Sequence, residues 1–299
     1  MRIGIDLGGT KIEGVVMDAD SRVLHRQRVA TPRDDYAGTL SALMRLVSTL
    51  EDAVGLRDLR VGVGTPGAVS PATGRMKNCN SICLNDRPFK QDLEARLGRA
   101  IRIANDADCL ALSEARDGAG AGATTVFAAI LGTGVGGGIA VRGELLRGPN
   151  AIAGEWGHNP LPAARDPERP GPRCYCGRQG CVETWLSGPA LAADHARYSG
   201  DVRSAVEIAQ RAGQGDAACR ATLMRYAERL GRALASIINV LDPDVIVLGG
   251  GASLIRELYE WVPQHWGAHV FSDRVDTRLV PARHGDSSGV RGAAWLWPA

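Results

Sequence analysis

The chain has 299 residues, 44% of them hydrophobic, with 35 basic and 33 acidic side chains and a formal net charge of +2. That length and apolar content describe a two-domain globular protein rather than a disordered one. The near-balance of charge gives no basic stripe for nucleic acid, and no run approaches the roughly 18 apolar residues that cross a bilayer, so neither kind of partner is expected.

The opening, Met1 to Lys11, lacks the basic and apolar regions of an export signal and reads as a first strand. The cysteines number seven. Cys79, Cys83, Cys109 and Cys219 are scattered and suit small buried apolar positions. An odd count without an export signal argues for reduced thiols and a cytoplasmic protein.

In chain order, Arg2 to Leu7 is β-prone and ends at Gly8-Gly9-Thr10; strands follow at Ile12 to Met17 and Val23 to Val29. Tyr36 to Leu50 has helical spacing, with Leu40, Leu43, Leu46, Val47 and Leu50 on one side. Arg60 to Gly64 is a strand leading into Pro66-Gly67. Phe89 to Leu97 is a helix, Ile101 to Ile103 a strand ending at Asn105-Asp106, and Ala107 to Gly118 a helix. Val126 to Leu131, a glycine run and Ile139 to Val141 repeat the opening strand–turn–strand pattern about 120 residues on, which suggests two related α/β domains. Pro160 to Pro172, with five prolines, reads as a loop excursion. Helices are expected at Ser187 to Tyr198, Val202 to Ala212 and Ala217 to Leu241, a buried strand at Val245 to Leu248, and a last helix at Gly289 to Trp297.

Asp6-Leu7-Gly8-Gly9-Thr10-Lys11 is the first chemical signal. Glycines let backbone N–H groups approach phosphate oxygens. Thr10 and Lys11 add a hydroxyl and a charge, and Asp6 could hold Mg²⁺. The spacing is not a P-loop, and a strand rather than a helix follows, so it is not a dinucleotide fingerprint. An ordinary hairpin turn is the plainer alternative. The second run, Gly132-Thr133-Gly134-Val135-Gly136-Gly137-Gly138, shifts the balance towards a pair of phosphate clamps. Gly249-Gly250-Gly251 suits close approach by adenine or ribose, or simply a crowded turn.

Asp106 sits at a strand end, where a carboxylate could accept a hydroxyl proton during phosphoryl transfer; capping the following helix is the alternative, and Asp108 competes for either role. Asn78, Asn80, Asn105, Glu155 and Glu183 supply the paired donors and acceptors that sugar hydroxyls need, or are merely solvated. Cys174, Cys176 and Cys181 follow His158 and together make a Cys₃His tetrahedral zinc set, with free thiols or a redox pair as competing readings. The second ring nitrogen of His158 could face a substrate. Trp156 and Trp185 nearby read as core.

Taken together, Asp6 to Lys11, Asn105-Asp106, Leu131 to Gly134, Glu155-Trp156-Gly157-His158, the Cys174 to Cys181 run and Glu183 make a chain that resembles the ROK family (repressors, open reading frames and kinases) over essentially its whole length. The resemblance implies an α/β, two-lobed actin-like ATPase (ribonuclease H-like) fold with the active site in the interdomain cleft. It places an N-terminal lobe at 1–120, completed by a C-terminal helix at 287–299, and a larger lobe with the zinc loop at 121–286. It implies an ATP-dependent hexose kinase using Mg²⁺ and a structural Zn²⁺, with Asp106 as general base, and a homodimer. The implied nucleotide set is Gly4, Asp6, Leu7, Gly8, Gly9, Thr10, Lys11, Thr133, Gly134, Gly136, Gly249, Gly250 and Gly251. The sugar set is Gly67, Asn80, Asn105, Asp106, Glu155, His158 and Glu183. Zinc falls to His158, Cys174, Cys176 and Cys181.

Thr31-Pro32-Arg33-Asp34-Asp35-Tyr36 and the ending His284 to Trp297 carry a closer likeness to bacterial fructokinases of the manno(fructo)kinase type. That likeness implies phosphorylation of D-fructose at the C6 hydroxyl. The alternatives are mannose, glucose or an N-acetyl-hexosamine as acceptor, or a sugar-responsive repressor or sensor of the same family. Such repressors carry a helix-turn-helix domain before the glycine motif, which here begins at residue 6.

Overall fold

The computed structural model describes residues 1–298. The chain divides into two compact units: Met1–Gly122, Gly138–Ala153 and Asp286–Ala299 form the first, Ala123–Gly137 and Gly154–Gly285 the second.

The first unit is built on a five-stranded sheet. Its strands are β1 (Arg2–Leu7), β2 (Lys11–Met17), β3 (Val23–Ala30) and, after helix α1 (Tyr36–Val54), β4 (Arg60–Thr65). A short hairpin of β5 (Ala68–Val69) and β6 (Met76–Lys77) and helix α2 (Phe89–Leu97) precede β7 (Ile101–Asn105), which runs directly into α3 (Asp106–Arg116). The sheet order is β3-β2-β1-β4-β7. β1 and β2 are antiparallel, whereas β1, β4 and β7 run parallel. Leu40, Leu43, Leu46, Val47 and Leu50 are all buried, as their spacing demands, and bind α1 to Ile5, Ile12 and Val16 in one core. The Asp35 carboxylate caps α1 by accepting from Gly38 N–H, and Gly55 ends it in the left-handed region.

Helix α9 (Ser288–Trp295) covers the same sheet, and two glycines explain how closely. Gly4 and Gly62 sit side by side on β1 and β4. A Cβ on Gly62 would lie 1.9 Å from the Ala293 carbonyl oxygen, and one on Gly4 would lie 2.1 Å from that of Val290. Gly4 therefore serves helix packing in mid-strand. Ser288 to Trp295 is also shorter than the expected 287–299, whose last residue lies outside the described ones.

The second sheet takes the order β10-β9-β8-β11-β12 from β8 (Thr125–Leu131), β9 (Val135–Val141), β10 (Glu144–Leu145), β11 (Val245–Gly249) and β12 (Arg278–Pro281). Between β10 and β11 come α4 (Glu183–Leu186), α5 (Gly188–Ser199), α6 (Ala205–Gly213) and α7 (Ala217–Leu241); α8 (Leu258–Trp266) separates β11 from β12. The glycines from 136 to 138 lie in β9, not in a turn as expected; the turn ends at Gly134. Gly250 has φ +79°, and a Cβ there would lie 2.6 Å from the Leu131 carbonyl oxygen, so this glycine is required by a crowded turn after β11.

The proline-rich stretch is an excursion, yet it is pinned by a buried charge. Glu168 is 6% exposed. It accepts from Arg229 Nε at 2.8 Å and from Arg232 Nη2 at 2.8 and 2.9 Å, both on α7. Burial opposes ionisation of Glu168, but hydrogen bonds from Arg232, the Arg165 N–H and Arg229 outweigh it and hold the carboxyl down to about 2. A depressed pKa makes this contribution fully present above the ordinary value of 4.5 and lost only as pH falls through about 2. Replacing Glu168 by Ala would leave two buried guanidinium groups short of their partner. The expected cost is about 3–5 kcal/mol, read from urea unfolding at pH 7; an unchanged midpoint would refute it. Among the described residues no helix is long and apolar enough to cross a membrane.

Candidate functional site

In the first unit, residues 8–10 close the β1–β2 hairpin. Gly8 N–H donates to the Lys11 carbonyl at 3.0 Å. Thr31, just beyond β3, clamps the turn from the side: its hydroxyl donates to the Gly8 carbonyl at 2.7 Å and its N–H to the Thr10 carbonyl at 3.1 Å. Thr31 was not among the candidate residues, although it opens the segment that carries the closer likeness. Gly9, Thr10 and Lys11 are exposed while Leu7 is buried. A pocket of about 260 Å³ adjoins the turn, lined by Gly9, Thr10, Thr31, Pro32, Arg33, Asp34, Asn80 and Ser81 among others. Gly67 is buried, with no room for a Cβ beside the Lys77 carbonyl and Cys79 Sγ.

The capping question at Asn105-Asp106 resolves in favour of Asn105. Its Oδ1 accepts from Asp108 N–H at 2.6 Å, so Asn105 is the N-cap and Asp106 the first residue of α3. Asp106 is exposed, and its Oδ1 accepts from Ala107 N–H at 2.8 Å. Asp6, at the end of β1, shares this environment. Burial, then the carboxylates of Asp106 and Glu13, push Asp6 up to about 6, against the pull of Lys11. A desolvated carboxylate facing another is short of positive charge. That is the donor chemistry a divalent cation such as Mg²⁺ satisfies.

In the second unit, residues 132–134 form the turn between β8 and β9. Gly132 N–H donates to the Gly134 carbonyl at 3.0 Å, and Gly188 N–H to the Gly132 carbonyl at 2.7 Å. Thr133 is exposed at its tip. The Glu183 carboxylate, on the first residue of α4, accepts from Val135 N–H at 2.9 Å through Oε2. Its Oε1 lies 3.9 Å from Cys174 Sγ. Glu183 thus ties the turn to the cysteine cluster. Gly136, in β9, accepts from Trp156 Nε1 at 2.8 Å. Trp156 and Trp185 are core residues, as expected. Gly249 is buried at the end of β11; Gly250 and Gly251 are exposed.

His158, Cys174, Cys176 and Cys181 come together with all four ligand atoms within 4.8 Å of one another. Local turns place them. Gly177 N–H donates to the Cys174 carbonyl at 3.0 Å, Cys174 N–H to the Arg178 carbonyl at 2.8 Å, and Pro160 bridges to Cys181. Cys176 and Cys181 have their sulfurs 3.7 Å apart, and His158 Nδ1 is 3.6 Å from Cys174 Sγ. Zinc bonds of the usual lengths require tetrahedron edges of about 3.8 Å for S···S and about 3.6 Å for N···S. The residues therefore fit a closed zinc site that would fasten the loop. Replacing Cys176 by Ser should reduce zinc from about one per chain towards none and destabilise the second unit. Elemental analysis and thermal unfolding check this; zinc-free wild-type protein would end the idea. Nε2 of the same histidine faces away from the thiols, 3.0 Å from the hydroxyl of Tyr175. Tyr175 escaped the sequence reading; its one signal there was its position between two cysteines of the expected zinc set.

Comparison with known proteins agrees with this geometry. A sequence model of the ROK family matches residues 2–299. An N-acetyl-D-glucosamine kinase of Erwinia tasmaniensis is 40% identical over 303 residues, covering 99% of each chain. The crystal structure of a ROK hexokinase from Thermus thermophilus superposes with TM-score 0.87 at 32% identity, covering 98% of this chain and 96% of that one. A ROK glucokinase from Streptomyces griseus, solved with glucose and AMPPNP, gives TM-score 0.80 at 31% identity, covering 99% and 98%.

Proposed function

We infer the reaction from one premise: this chain belongs to the ROK family and is a sugar kinase of the actin-like ATPase fold. The reading is transfer of the γ-phosphoryl group of ATP to the C6 hydroxyl of D-fructose, giving fructose 6-phosphate and ADP. Asp106 takes the hydroxyl proton as the sugar oxygen forms its bond to phosphorus and the bond to the ADP oxygen breaks. Backbone N–H groups and hydroxyls at Gly8 to Thr10 and at Gly132 to Gly134 hold phosphate oxygens. Asp6 would hold Mg²⁺, which would neutralise phosphate charge when bound. Asn80, Asn105, Glu155, His158 and Glu183 hold the sugar hydroxyls, and Gly250 and Gly251 leave room for the nucleoside.

What supports fructose is the likeness to fructokinases carried by two segments, both of which lie beside groups of the candidate site. Thr31 to Asp34 line the same pocket as Thr10 and Asn80. The other such segment, His284 to Trp297, reaches Asp6: Asp286 contributes to its raised pKa, and Gly289 would set a Cβ 3.3 Å from its carboxylate. Both segments thus border groups assigned to phosphate and sugar. The second reading, N-acetyl-D-glucosamine as acceptor, is favoured by the name of the Erwinia relative and by a Photobacterium profundum N-acetyl-D-glucosamine kinase at 38% identity. ADP release in a coupled assay with Mg²⁺-ATP, run on fructose, mannose, glucose and N-acetylglucosamine in parallel, separates them. A clear preference for fructose in kcat/KM supports the first reading; preference for the amino sugar replaces it with the second.

A further inference from the structure

We propose that Tyr175 is a displaceable cap on His158: its phenol holds the outward ring nitrogen in the sugar-free enzyme, and a hexose hydroxyl takes its place. The proposal rests on the reading of His158 as a sugar contact. The two nitrogens of this imidazole face different partners. Nδ1 points to Cys174 Sγ at 3.6 Å, and Nε2 to Tyr175 Oη at 3.0 Å. With Nδ1 on zinc, Nε2 would carry the ring proton and donate it to the phenol oxygen.

Little else keeps Tyr175 where it is. The residue is 79% exposed. Its ring meets the imidazole edge to face, with centroids 5.1 Å apart and planes at 85°. The backbone on either side is fixed by the turn that places the cysteines, so leaving His158 needs only rotation of an exposed side chain, which is fast. Glu183, one of the groups assigned to the sugar, lies through Oε1 3.9 Å from Sγ of Cys174, the residue before Tyr175. A sugar hydroxyl offers what the phenol offers, one O–H and two lone pairs. The exchange therefore swaps one neutral hydrogen bond for another and leaves no polar group unpaired.

The test is Tyr175→Phe, read in three ways: hexose affinity by calorimetry without nucleotide, kcat and KM in the coupled assay, and zinc content. Phenylalanine keeps the ring and removes the competing oxygen. The Kd and KM for hexose should fall about two- to tenfold, the worth of one hydrogen bond, with kcat and zinc unchanged. Tyr175→Ala should lower them at least as far. A rise in KM would make the phenol a sugar contact and overturn the exchange. An unchanged KM would deny it any part in binding. Loss of zinc would make it a fixed orienting partner of His158, also against the proposal. Wild-type protein that neither binds nor phosphorylates any hexose would remove the sugar reading itself. Wild-type protein that does both, beside a Phe variant that matches it, would remove only the role of Tyr175.

Discussion

Replacing Asp106 by Ala should cut turnover by about 10²- to 10⁴-fold, the usual worth of a positioned general base, while the unfolding transition stays close to that of the wild type. The fold should tolerate the change because two small effects oppose each other. An acidic residue is lost from the first turn of α3, where the helix terminus favours negative charge by about 0.3–1 kcal/mol. At the same time Asp6 is relieved of a like charge that helps to raise its pKa. The cap survives, since it belongs to Asn105. Single-turnover kinetics with saturating sugar, set beside urea unfolding, checks both halves. Near-normal turnover would strip Asp106 of its role, and collapse of the fold would make it a structural residue instead.

Asp6→Asn should abolish turnover and yet stabilise the protein. The carboxyl titrates near 6 in the folded chain against an ordinary value of 3.8. A raised pKa means the folded state holds its proton more tightly. The associated stability is fully present below pH 3.8 and is lost as pH rises through about 6. At pH 7 the ionised, buried carboxylate therefore works against the fold by up to about 3 kcal/mol, and the amide variant should exceed the wild type by part of that amount. Near pH 3.5 the two should converge. In the wild type, turnover should climb as pH rises through about 6, because only the charged form attracts a metal cation. Unfolding at the two pH values without Mg²⁺, and again with it, decides the matter: Mg²⁺ should narrow the gap at pH 7 by stabilising only the wild type. A variant less stable than wild type at pH 7 would contradict the electrostatic account.

Where local pattern and tertiary need coincide, the sequence spoke clearly. The apolar stripe of α1 and the full span of α7 from Ala217 to Leu241 were legible because helix periodicity and burial agree there. The glycine run after Gly134 misled, since glycine disfavours strands; it forms one in β9 because neighbours crowd its backbone and leave no room for side chains. Helix α8 went unread, and Pro263 sits within its nine residues. In the candidate site, the four metal-type ligands could be listed from spacing alone. The roles of Thr31 on the first glycine turn and of Glu168 under the proline-rich loop could not. Each depends on a partner far along the chain, which no local window contains.

The approach of α9 to Gly4 and Gly62 has a consequence for synthesis. β1 leaves the ribosome well before the helix that covers it, which is the last element described. At about 5–20 residues per second, the two are separated by tens of seconds. During that interval the face of β1 and β4 that α9 will cover is bare at Gly4 and Gly62, while Ile3, Ile5, Val61 and Val63 on the opposite face pack in the core with α1. A nascent chain of this protein therefore carries an uncovered strip of sheet until α9 has emerged. A ribosome stalled before Ser288 would leave that face of the first unit open.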